Sequence, residues 1–308
     1  MSLKQADPEV VEALRRKLQD KATSLEAKYR VLFSLRNIEG SQAQAAMLEG
    51  LKDESALFRH EVAYCLGQRQ DPAAIDTLKA ILADEAEHPM LERRWAPSGR
   101  PSCVDPLREH ASDSCLEVAQ TCQLALQRID YFTSVHGAAA EGDADRVRRY
   151  LSVDPTPPAP ASTSTAELAR TLTDERAPIF ERYRAMFALR DRGGADAVEA
   201  LAAAFASGSA LLKHEVAYVL GQMQDACAVD CLRRVIGDAG EAAMVRHEAA
   251  EALGAIADDA CLDLLRRHLA DPEPIVADSC VVALDMLEFE QSGAFSYADE
   301  GADAVTVA

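Results

Sequence analysis

Apolar residues recur every three or four positions along most of the chain, the period of helices with one buried face. Val10, Val11, Leu14 and Leu18 mark one side of a first helix within residues 1–20. Leu25 to Arg36 reads as a second helix, ended by Asn37-Ile-Glu-Gly40, and Ala43 to Leu51 as a third. A fourth runs through Leu57, Val62 and Leu66 and is closed by Gln68-Arg-Gln-Asp-Pro72; Pro72 suits the first turn of the next, Ala73 to Leu82. Ala and Leu abound and β-branched runs are few. Helices divided by short turns at this spacing predict an all-α, HEAT-repeat-like α-solenoid, in which stacked hairpins share one core.

A larger repeat lies over the small one. Tyr29-Arg-Val-Leu-Phe-Ser-Leu-Arg36 returns as Tyr183-Arg-Ala-Met-Phe-Ala-Leu-Arg190, 154 residues on. Ser55-Ala-Leu-Phe-Arg-His-Glu-Val-Ala-Tyr-Cys-Leu-Gly-Gln68 returns at the same offset as Ser209-Ala-Leu-Leu-Lys-His-Glu-Val-Ala-Tyr-Val-Leu-Gly-Gln222. The expected organisation is two similar halves, 1–136 and 166–290, facing a central metal site. Between them a Pro-, Ser- and Thr-rich linker, 137–165, is expected to be extended and poorly packed. The tail 291–308 is expected to be irregular.

The repeated frames carry the chemistry. They hold His60-Glu61 and His214-Glu215, and a related frame, Met244-Val-Arg-His-Glu-Ala-Ala-Glu-Ala-Leu-Gly-Ala-Ile256, holds His247-Glu248. The flanks are apolar, so the pairs sit near buried surface. One His-Glu pair on a helix is usually a solvated stripe; three in matched frames point to a metal shell. Imidazole with carboxylate suits iron, manganese or zinc, and two halves suggest two metals. His88, His110, His136 and His268 lack the frame and read as surface or packing residues.

Charge and cysteine usage narrow the class. The net charge of −19 disfavours nucleic acid and suits a basic partner or an amine. No apolar run reaches membrane-spanning length, and Met1-Ser-Leu-Lys-Gln-Ala-Asp7 is no signal peptide, so a cytoplasmic protein without a membrane partner is expected. The eight cysteines form no CxxC pair and read as small buried residues. Gly193-Gly194 reads as a helix-end turn, and no nucleophile elbow is present.

Leu57-Phe-Arg-His-Glu-Val-Ala-Tyr-Cys-Leu-Gly-Gln68, Glu181-Arg-Tyr-Arg-Ala-Met-Phe-Ala-Leu-Arg190, Met244-Val-Arg-His-Glu248, Leu151-Ser-Val-Asp-Pro155 and Phe295-Ser-Tyr-Ala-Asp299 resemble deoxyhypusine hydroxylase. The resemblance spans nearly the whole chain. It implies a HEAT-repeat di-iron monooxygenase with two Fe(2+) per chain. That enzyme uses O2 and an electron donor to hydroxylate deoxyhypusine on a translation elongation factor. His60, His214 and His247 then resemble iron-ligating histidines, and Glu248 an iron-ligating carboxylate. Glu61 and Glu215 resemble residues that hold the substrate amine and also serve the metals. The family has four His-Glu pairs. Here Arg93-Arg94 stand 154 residues before His247-Glu248, so one iron site is incomplete. Guanidinium groups cannot ligate a cation. Weak or absent turnover is therefore expected, the alternative being a non-catalytic HEAT-repeat protein-binding scaffold. The offset also changes near Arg93: Cys122 matches Cys280 at 158 residues. Leu91 to Arg100 therefore reads as a misread or deleted stretch, and 91–101 is expected to be irregular.

Overall fold

The computed structural model describes residues 4–82, 104–134, 150 and 152–292. The stretch 91–101, the Arg93-Arg94 positions, His88, His136, Phe295 to Asp299 and 137–149 lie outside the described residues. The described residues are helical apart from turns, connecting segments and one isolated bridge, Lys4 to Ile38, so the all-α expectation holds. Among them, no helix is long and apolar enough to cross a membrane.

The chain divides into two compact units, Met1–Ser98 with Glu288–Ala308, and Gly99–Leu287. In the first unit α1 (Pro8–Gln19) packs on α2 (Leu25–Asn37) and α3 (Ser41–Gly50), and both α2 and α3 pack on α4 (Ala56–Arg69); α5 is Ile75–Leu82. The predicted stripe of α1 buries Val11, Leu14 and Leu18. Gly40, at φ 99°, breaks the chain between α2 and α3 in a conformation that favours glycine.

The second unit holds α6 (Val104–His110), α7 (Leu116–Thr133), α8 (Thr165–Thr173), α9 (Ile179–Arg192), α10 (Ala195–Ala203), α11 (Ala210–Met223), α12 (Val229–Gly237), α13 (Ala243–Ile256), α14 (Leu262–His268) and α15 (Pro274–Ser292) as far as residue 287. Consecutive helices pair as hairpins, α8 on α9 and α12 on α13, and packing of α9 on α11 and α11 on α13 stacks them. The halves 1–136 and 166–290 describe the duplication, whereas the compact units are cut elsewhere, because α7 packs on α9 and α11. Gly193 (φ 69°) and Gly194 (φ 82°) form the helix-end turn between α9 and α10.

The three His-Glu helices α4, α11 and α13 end alike. Each runs into a left-handed residue, Gln70 (φ 52°), Gln224 (φ 49°) or Ala257 (φ 58°). Each then meets an aspartate, Asp71, Asp225 or Asp258, whose carboxylate accepts the backbone N–H two residues on and starts a 3-10 turn. Two of the helices also start alike: Ser55 and Ser209 accept the N–H of Phe58 and Leu212. In two hairpins of the second unit an arginine reaches back ten residues to the preceding helix. Arg182 Nε donates to Leu172 O (2.8 Å) and Arg246 Nε to Ile236 O (3.1 Å).

The linker expectation needs correction where the structure describes it. Asp154 takes two hydrogen bonds from Arg190, at 2.9 and 2.7 Å, and its carbonyl accepts from Arg128 at 2.5 Å. Gln222 Nε2 donates to Ser152 Oγ at 3.0 Å, and Thr156 is buried. Polar partners far apart in the sequence thus strap residues 152–156 onto α7, α9 and α11. The segment ends in the capping box of Ser164 and Glu167, which starts α8 at Thr165.

Candidate metal centre

The donor set of the second unit forms where α11 crosses α13. A Cβ added at Gly221 would stand 3.0 Å from Ala252 Cα, so the two backbones meet closely there. Gly221 lies two turns after His214, and Ala252 one turn after Glu248, so these residues share the facing sides of the helices. The crossing brings His214 Nε2 to 3.0 Å from Glu248 Oε2. The imidazoles of His214 and His247 lie with centroids 5.1 Å apart.

Burial shapes the chemistry. His214 is 3% exposed, His247 1% and Glu248 4%, and Glu215 beside them on α11 is also buried. A carboxylate so far from water needs a compensating positive charge. Two imidazoles and a carboxylate are the donors of non-haem iron(II) sites, and a dication among them supplies that charge. The residues present therefore fit a divalent transition metal. His60 and Glu61, on α4 of the first unit, are buried in the same way, and Glu61 Oε1 lies 3.8 Å from Cys65 Sγ.

The remaining candidates fall away from metal chemistry. The histidines outside the frames that the structure describes sit beside local carboxylates: His110 Nδ1 stands 3.5 Å from Asp113 and His268 Nδ1 2.9 Å from Asp271. The described cysteines are free thiols. Burial pushes Cys280 up to about 12 and Cys261 to about 11, so both stay protonated near neutral pH and are poor ligands.

Reasoning from the frames alone missed Glu251 and Ser279. Ser279 Oγ lies 3.3 Å from His247 Nδ1 and 3.0 Å from Glu251 Oε1. A sequence signal existed for Glu251. It stands one turn after His247, where Tyr64 and Tyr218 follow His60 and His214. Ser279 lies on another helix and had no local signal.

Stacked helical hairpins of this kind define a HEAT-repeat protein, and the chain matches the HEAT repeats family over residues 11–96 and 198–285. Residues 181–207 also match the PBS lyase HEAT-like repeat. The deoxyhypusine hydroxylase of Rattus norvegicus is 46% identical over 293 residues, covering 94% of this chain and 95% of the rat protein. That of Gallus gallus is 46% identical over 295 residues, covering 94% and 96%. The structure of human deoxyhypusine hydroxylase in complex with glycerol superimposes with a TM-score of 0.85 at 45% identity, covering 91% of this chain and 96% of that one. The chain belongs to the deoxyhypusine hydroxylase family.

Proposed function

We propose that this chain is an iron-dependent monooxygenase that hydroxylates the deoxyhypusine side chain of a translation elongation factor, with O2 and an electron donor as co-reactants. The observation that carries the metal reading is the buried convergence of His214 Nε2 and Glu248 Oε2 at 3.0 Å, with His247 alongside. His214, His247 and Glu248 hold Fe(2+) in the second unit, and His60 ligates metal in the first. Bound iron supplies the oxygen chemistry that no side chain can perform. The protein's own groups bind and orient the substrate. Glu215, buried beside His214, and Glu61 pair with the cationic amine of deoxyhypusine and fix its aliphatic chain. Burial strengthens that pairing, because water cannot screen it. The net charge of −19 steers a basic protein partner toward the chain.

Turnover by the chain as written is slow, because Arg93-Arg94 occupy the place of a fourth His-Glu pair. The test is hydroxylation of a deoxyhypusine-bearing elongation factor by the Fe(2+)-loaded chain with O2 and a reductant, read as the added mass of one oxygen atom. The wild type should modify little substrate, and the double variant Arg93→His, Arg94→Glu at least ~10-fold more. No hydroxylation by either protein with iron bound refutes the proposal. Full wild-type turnover refutes the impairment and leaves the hydroxylase reading standing.

A further inference from the structure

Ser279 is fully buried on α15, facing α13. Its Oγ lies 3.0 Å from Glu251 Oε1 and 3.3 Å from His247 Nδ1. His247 Nδ1 and Glu251 Oε1 are themselves 3.6 Å apart, too far for a hydrogen bond, so the hydroxyl is the bridge. A serine hydroxyl carries one proton and can donate it once. The carboxylate is the stronger acceptor because it is charged, so Oγ–H donates to Glu251. The oxygen then presents lone pairs to Nδ1, and Nδ1 is satisfied only as Nδ1–H. A neutral imidazole has one N–H, so Nε2 keeps its lone pair.

We infer that Ser279 and Glu251 form a hydrogen-bond relay that fixes His247 in its Nδ1–H tautomer and readies Nε2 to bind the cation. This rests on the metal reading of the site. Both are positioning residues, acting on the metal only through His247. The geometry is held by close backbone contact one turn further along: a Cβ at Gly254 would stand 2.6 Å from Ala283 O. The relay belongs to this histidine alone among the three frames, since Tyr64 and Tyr218 occupy the place of Glu251. A hydroxyl at the position of Ser279 recurs, however. Thr121 matches it at the 158-residue offset, and Thr121 Oγ1 is buried with no partner among the described residues. That matching half is the one in which Arg93-Arg94 replace the His-Glu pair.

Two measurements on the full-length chain test the relay. Nitrogen–proton correlation NMR of the metal-free protein, with the His247 signal assigned from a His247→Ala variant, reads the tautomer directly. The wild type should show Nδ1–H, and Ser279→Ala should move the population toward Nε2–H. Anaerobic Fe(2+) titration should show Ser279→Ala and Glu251→Gln binding the metal ~10–100-fold more weakly than wild type. Ser279→Thr, which keeps the hydroxyl, should restore much of the loss. A purely structural role would move neither the tautomer nor the response to Thr. An Nε2–H tautomer in the wild type, or Fe(2+) affinity unchanged in both variants, overturns the relay alone. A wild type that binds no Fe(2+) overturns the metal reading itself, and the relay with it.

Discussion

Replacing Arg246 with methionine strips a buried cation from the first turn of α13. The arginine side chain, 5% exposed, pairs with Asp271 at 3.2 and 2.5 Å and donates through Nε to Ile236 O. Asp271, whose side chain is 3% exposed, keeps only His268 and the Glu273 N–H after the change. Removing one partner of such a pair leaves a poorly compensated buried charge, which costs ~3–5 kcal/mol. With a urea dependence of ~3 kcal/mol per molar for a unit of this size, the unfolding midpoint should fall by ~1 M or more. Far-UV circular dichroism in urea measures it. Adding Asp271→Asn to Arg246→Met should recover part of the loss, because the neutral amide needs no countercharge. A midpoint within ~0.2 M of wild type, or a double variant as unstable as the summed singles, refutes the reasoning.

Gly254→Ala should lower the thermal midpoint, because the clash with the Ala283 backbone (~1–3 kcal/mol) outweighs the ~1 kcal/mol gain in helix propensity; a raised midpoint contradicts this. Glu61→Gln and Glu215→Gln should each weaken binding of the deoxyhypusine substrate at least ~10-fold while largely keeping iron, read by substrate titration beside metal analysis; unchanged affinity in both refutes the amine role. Acid should destabilise the fold partly through Asp271. Burial alone would raise its carboxyl, but hydrogen bonds from Arg246, His268 and the Glu273 N–H outweigh it and hold the group below the usual range. A depressed folded pKa adds stability above the unfolded value of ~3.9 and loses it as pH falls through the folded one, so Asp271→Asn should flatten the stability curve below pH ~4.

The helices were legible because each carries its own period. The His-Glu helices were legible because the frame around them recurs. His214, His247 and Glu248 could be named from the sequence, since matched frames on stacked hairpins bring matched faces together. Burial of these residues followed from their apolar neighbours. What stayed hidden depends on contacts between distant segments. Asp154 and Arg190 are 36 residues apart, so a Pro- and Thr-rich stretch that looks loose by composition is strapped down by a partly buried ion pair. Glu251 and Ser279, 28 residues apart, meet only because Gly254 lets α15 approach α13. The left-handed ends at Gln70, Gln224 and Ala257 carry no glycine to announce them; the aspartate that follows each is the visible signal.

The central claim is that α11 and α13 build a metal site from His214, His247 and Glu248. Anaerobic Fe(2+) titration of the full-length chain beside His247→Ala, with metal content read after gel filtration, tests it most directly. The account predicts that the wild type retains iron and that His247→Ala holds it at least ~10-fold more weakly while remaining folded. Equal iron in the two proteins, or none in the wild type, would contradict it.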